Sequence, residues 1–121
     1  MISHTLTTGQ LDLSTLRKIN DSAVTLNLVD GASTQIAASA QTVQNVINKR
    51  QTVYGINTGF GLLANTKIAD DELELLQRSI VLSHAAGIGE FMDGSTVRLM
   101  MTLKVNSLSR GYSGIRLEVI A

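Results

Sequence analysis

Cysteine and proline are both absent from this 121-residue chain, and no charge sign dominates: ten Lys plus Arg face ten Asp plus Glu. Without cysteine there is no disulfide framework, no thiol nucleophile and no thiolate metal site. A formal net charge of +0 with no long basic run gives no broad electrostatic footprint for nucleic acid or an anionic membrane. No apolar stretch approaches the roughly 18 residues that a membrane helix needs. The opening MISHTLTTGQLDL lacks the basic flank and apolar core of a secretory signal. These absences predict a cytoplasmic protein with neither nucleic-acid nor membrane partners. Charged residues make up 17%, below the roughly 25% of a typical soluble chain, so part of the apparent surface is expected to be covered by something else. The length suits a single domain spanning residues 1–121.

With no proline, glycine has to make the turns, and nearly all ten glycines fall at breaks between periodic segments. Apolar and polar side chains alternate over Thr5 to Leu13 and Thr25 to Val29, which predicts two short strands around a helix at Ser14 to Asn20. Ile36, Ala40, Val43 and Ile47 recur at helical spacing, so a long helix is expected from Ser33, with Ser33 as its cap. Residues 52–67 have no period and form a long loop, a kind that is usually functional. A second long helix should start at Asp70 or Asp71, where acidic side chains suit the positive end of the helix dipole and a carboxylate can cap, and should end before Gly87 and Gly89. A third, capped by Asp93 and closed by Gly111, should bury Val97, Met100, Met101, Lys104, Val105 and Leu108, and a fourth should open near Ser113. The overall expectation is a mainly α protein with a small β element at its start.

Two side chains stand out as chemistry-bearing. Tyr54 lies in Tyr54-Gly55-Ile56-Asn57-Thr58-Gly59-Phe60-Gly61, a phenol beside the most flexible backbone of the chain. It suits either a general base or a ring packed under a glycine loop; phenols ionise near pH 10, so a base of this type needs nearby positive charge or donated hydrogen bonds. His84, in Ser83-His84-Ala85-Ala86-Gly87, has small neighbours that leave room around its ring, which suits either a ligand contact or a histidine bonded to a carbonyl. The formal dinucleotide match Gly59-x-Gly61-x-x-Ala64 fails, because no helix opens after it and His84 stands where the acidic residue should be. No P-loop lysine motif occurs. His4 has no partner pattern and Asp70-Asp71-Glu72 reads as a helix start, so no metal is expected. Arg98, Arg110, Arg116 and Lys104 join no dense cluster and are expected on a solvated or interchain face, while Met100 and Met101 should fill a core.

Three strings, Val53 to Gly61, Leu76 to Gly89 and Asn106 to Gly111, taken in this order and at these separations, closely resemble the N-terminal part of the histidine ammonia-lyase family, one of the aromatic amino acid ammonia-lyases. The resemblance covers most of the chain. It implies the fumarase/aspartase-like helical fold of those lyases, and a parent enzyme that eliminates ammonia from L-histidine to give trans-urocanate in histidine catabolism. It implies that Tyr54 is the base that removes a β-proton, with Gly55, Asn57, Thr58, Gly59, Phe60 and Gly61 forming the catalytic loop, and that His84 holds the substrate's imidazole. The cofactor it implies is a methylidene-imidazolone made autocatalytically from an internal Ala-Ser-Gly, and the assembly it implies is a homotetramer.

The same resemblance has departures. Family members are several times longer, and no Ala-Ser-Gly occurs here: Ala32-Ser33-Thr34 lacks the glycine and Tyr112-Ser113-Gly114 lacks the alanine. Phe91 stands where relatives commonly carry proline, as does the region near Gly9. The chain by itself is therefore expected to carry no cofactor and to be inactive. Three alternatives stay open at this point: a tyrosine ammonia-lyase relative, a free-standing module that binds histidine or urocanate without chemistry, and a self-associating helical module.

Overall fold

A computed structural model describes residues 2–121, the side chain of Leu63 excepted. Four α-helices and one pair of strands make up its regular structure. In chain order they are β1 (Ile2–Leu6), α1 (Leu13–Asp21), β2 (Val24–Leu28), α2 (Ala32–Asn48), α3 (Leu73–His84) and α4 (Gly94–Leu108). Single 3-10 turns cover Gly61–Leu63, Asp70–Glu72 and Leu117–Val119. The chain divides into two compact units, Met1–Gln41 with Phe91–Ala121, and Thr42–Glu90.

In the first unit β1 and β2 pair in parallel, Ile2 opposite Val24 through Leu6 opposite Leu28, with α1 as the crossover. Parallel strands need such a connection, since a tight turn can only reverse the chain. Val24, Leu26 and Leu28 are half-buried while Thr25 and Asn27 between them are exposed, the period-two pattern of a strand covered on one face. Among the described residues the buried apolar side chains are Leu6, Ile19, Ala32 and Ile36, one or two from each of β1, α1 and α2. β1 ends earlier than the alternation suggested. Gly9 takes φ +79° and its N–H donates to Asn106 Oδ1 at 2.9 Å, which turns the chain away from the sheet.

Helix α1 is held at both ends. Asp12 Oδ1 accepts from the Thr15 N–H at 2.7 Å, and that bond, first among several, holds the carboxyl below its ordinary value. At the other end Arg98 of α4 donates from Nε to Ile19 O at 3.2 Å and from Nη2 to Asn20 O at 2.8 Å. A guanidinium there meets carbonyls that the helix leaves unpaired, at the negative end of its dipole. Arg98 is thus an interhelical cap, not part of a solvated or interchain face.

Helix α4 starts as expected, with Asp93 Oδ1 accepting from the N–H groups of Ser95 at 3.0 Å and Thr96 at 3.1 Å. Its expected apolar stripe holds only in part. Val105 and Leu108 are half-buried, whereas Val97, Met100 and Met101 are 39%, 54% and 64% exposed and Lys104 is exposed; Thr102 is buried and Arg98 half-buried instead. The cap contact of Arg98 and the close seat of α4 on α1 turn the helix so that a small hydroxyl faces inward; Thr102 Oγ1 donates back to Arg98 O at 2.8 Å. Gly111 lies just beyond α4 with φ +79°, and a Cβ there would stand 3.0 Å from Gln35 Cβ and 3.2 Å from Gln35 O of α2. Close approach of two backbones and a positive φ both require glycine at that position.

Three further local expectations change. Ser33 lies inside α2, whose first turn is closed by Gly31 O accepting from the Thr34 N–H, so it is not the cap. Asp70–Glu72 forms a 3-10 turn ahead of α3, and no acidic side chain caps that helix. No fourth long helix forms after Ser113; only the turn Leu117–Val119 does. Among the described residues no helix is long and apolar enough to cross a membrane.

Candidate active site

The second unit holds both chemistry-bearing residues. Its fully buried side chains, among the described residues, are polar: Asn57 at 0% and Thr58 at 2% exposure. Asn57 Oδ1 accepts from the Val53 N–H at 2.9 Å, and Asn57 Nδ2 donates to Gln51 O at 2.7 Å. Its backbone N–H reaches Val53 O at 3.3 Å, and its carbonyl accepts from the Ile68 N–H at 3.0 Å. One buried amide thereby ties together the two flanks of a tight loop whose apex is Tyr54-Gly55. A buried amide that makes all these bonds is stabilising, whereas an unpaired one is costly.

Beyond Asn57, Thr58 pairs with Lys67 in an isolated antiparallel bridge, and the Gly59 N–H donates to Thr66 O at 3.3 Å. Residues 52–67 therefore form a closed loop, stapled at its base, without α-helix or strand. Gly55 and Gly61 take positive φ, +77° and +58°. The ring of Tyr54 is 63% exposed and meets Phe60, itself 47% exposed, edge to face with centroids 5.7 Å apart. The ring thus has an aromatic neighbour on one side and is otherwise largely accessible.

His84 is the last residue of α3. Its Nδ1 lies 2.8 Å from Ile80 O and 3.1 Å from Ser83 Oγ, and Ser83 Oγ donates to that same carbonyl at 3.0 Å. The ring is exposed, as are the small residues Ala85, Ala86 and Gly87 that follow. No hydrogen bond or ring contact joins His84 to Tyr54 among the described residues. Nor is any group of three or more His, Cys, Asp or Glu among them arranged so that it could hold a metal ion.

Sequence reasoning selected Asn57 only as a member of the glycine loop and passed over Ser83. The Asn57 signal was an amide side chain within a glycine-rich turn, four residues after Val53. The Ser83 signal was a hydroxyl adjacent to a histidine at a helix end.

The group that the resemblance implies does not fit the residues present. A methylidene-imidazolone needs Ala-Ser-Gly, and no such tripeptide occurs. Of the two partial matches, Ser33 lies in the first turn of α2. In the other, Ser113 Oγ donates to Leu108 O at 3.0 Å and the Gly114 N–H to Ser39 Oγ at 2.8 Å, so the hydroxyl and amide that cyclisation would use are occupied.

Comparison with known proteins gives a consistent picture. The family model for aromatic amino acid lyases matches residues 11–121. A histidine ammonia-lyase of Shewanella piezotolerans is 66% identical over 115 residues, which are 95% of this chain and 22% of that protein. One of Vibrio cholerae is 68% identical over 112 residues, 93% of this chain and 22% of the relative. The crystal structure of histidine ammonia-lyase from Trypanosoma cruzi superposes with a TM-score of 0.85 at 37% identity, covering 99% of this chain and 23% of that one. The chain thus spans less than a quarter of the length of these relatives.

Proposed function

The chain belongs to the aromatic amino acid lyase family, and from that premise we propose that it is the N-terminal part of a histidine ammonia-lyase, a cytoplasmic homotetramer that converts L-histidine to trans-urocanate and ammonia. The observation that carries this reading is the 66% and 68% identity to histidine ammonia-lyases over 115 and 112 residues, spans long enough to include the Tyr54 loop and His84. In the reaction the Cα–N bond breaks, a β-proton leaves, and a Cα=Cβ double bond forms.

Within this scheme the phenol oxygen of Tyr54 accepts the β-proton. The pinned loop supports that role, because a general base has to be held within hydrogen-bond reach of the proton it takes. His84 holds the substrate's imidazole. A polar ring partner selects against a phenyl side chain by leaving a polar group unpaired, which favours the histidine reading over a phenylalanine-specific relative. The electrophile belongs to a segment outside these 121 residues, so this chain alone is inactive.

The test is Tyr54→Phe in the full-length parent. Loss of a general base lowers kcat by about 10²–10⁴-fold with the fold intact. An unchanged kcat removes Tyr54 from that role.

A further inference from the structure

The hydrogen bonds around His84 fix more than its position. A backbone carbonyl can only accept, so the 2.8 Å contact between Nδ1 and Ile80 O requires a proton on Nδ1. Ser83 Oγ has a single proton, and it donates that proton to Ile80 O at 3.0 Å. Its 3.1 Å contact with His84 Nδ1 is then one in which the hydroxyl oxygen accepts, and again Nδ1 donates. The three contacts are satisfied together only when neutral His84 carries its proton on Nδ1. Nε2 is left with a lone pair.

We propose that Ser83 and the Ile80 carbonyl are positioning groups that hold His84 as its Nδ1–H tautomer, so that Nε2 acts as a hydrogen-bond acceptor for an aromatic side chain whose ring carries a donor. This rests on the reading of His84 as the ring-holding residue and adds the direction of its hydrogen bond. The ligand class is set by that direction: an imidazole N–H or a phenol O–H can donate to Nε2, and an unsubstituted phenyl ring cannot. Ser83 touches no substrate in this scheme and acts through His84.

The deciding measurement is two-bond 15N–1H correlation of the labelled 121-residue chain, at a pH where both of its histidines are neutral. His4 serves as internal reference, since its ring makes no hydrogen bond among the described residues. His84 should show a protonated Nδ1 and an unprotonated Nε2, unlike His4. Ser83→Ala should reduce the ratio of the Nδ1–H to the Nε2–H form about two- to tenfold, the worth of one net hydrogen bond, and Ser83→Thr should restore it. A His84 that shows the Nε2–H form overturns the proposal, as does a ratio that Ser83→Ala leaves unchanged.

In the full-length parent, Ser83→Ala should raise KM for L-histidine with a smaller effect on kcat and narrow the preference of L-histidine over L-phenylalanine, with L-tyrosine as a second donor-bearing ring. An unchanged preference overturns the selectivity claim. His84→Ala in the same assay separates the two readings: if it leaves the discrimination unchanged, the ring-holding role itself falls, whatever the tautomer.

Discussion

Asn57 and Val53 are bonded to each other twice: Asn57 Oδ1 accepts from the Val53 N–H at 2.9 Å, and Val53 O accepts from the Asn57 N–H at 3.3 Å. Tyr54 lies between them in sequence, so the loop that carries the phenol is closed by backbone and side chain of the same residue. Because Asn57 is fully buried, its bonds are not exchanged freely for bonds to water.

Asn57→Ala should therefore cost more than an average loop substitution. It leaves the Val53 N–H and the Gln51 carbonyl without partners, a penalty of about 1–3 kcal/mol. Urea denaturation of the chain measures the loss. Hydrogen exchange at the Val53 amide should accelerate beyond what the global change explains, and exchange that merely tracks global stability would mean the amide does not hold the loop.

Gly55 and Gly111 separate two reasons for glycine. Both have positive φ, +77° and +79°, but a Cβ at Gly55 meets nothing within 4 Å, whereas one at Gly111 meets Gln35 Cβ at 3.0 Å and Gln35 O at 3.2 Å. Gly55→Ala should cost only the left-handed backbone, about 1–2 kcal/mol. Gly111→Ala adds a steric clash with backbone and should be the more destabilising of the two in thermal melts. Equal losses would show that α2 can move away at no cost.

Asp93 should make α4 sensitive to acid. Hydrogen bonds from the Ser95 hydroxyl, then from the Thr96 hydroxyl and the Thr96 N–H, hold its carboxyl well below the ordinary value of 3.8. A carboxyl whose folded pKa lies below its unfolded one stabilises the fold above the unfolded value and loses that contribution as pH falls towards the folded one. The stability margin of the wild type over Asp93→Ala should stay level from neutral pH down to the ordinary carboxylate range and shrink on further acidification. A margin that is flat through strong acid would remove the charged cap as its source.

Arg98→Leu tests the cap between α4 and α1. It removes two charge-assisted bonds, to Ile19 O and Asn20 O, from a half-buried site, and should cost about 1–2 kcal/mol. The Ser22 amide, which closes the last turn of α1 by donating to Lys18 O at 3.2 Å, should exchange faster in the variant. No change at Ser22 would mean that α1 terminates without help from α4.

What the sequence determined by itself is what depends on near neighbours. Asp12 and Asp93 cap helices through N–H groups two or three residues on, the glycine-rich stretch at 52–67 is a loop, and Val24 to Leu28 alternate as a strand does. Each follows from residues within one or two turns of one another, and such contacts form wherever the rest of the chain goes. The tertiary structure decided what depends on distant partners. It turned α4 so that Thr102 is buried while Met100 and Met101 are exposed, made Arg98 a cap for a helix 78 and 79 residues away, and stopped β1 at Leu6 through the bond from Gly9 to Asn106. Periodicity shows that a helix has an apolar face but not what that face meets. The same division holds at the site: Tyr54 and His84 are legible as residue types in their motifs, whereas the buried clasp of Asn57 and the proton on His84 Nδ1 arise from where the folded backbone places its amides and carbonyls.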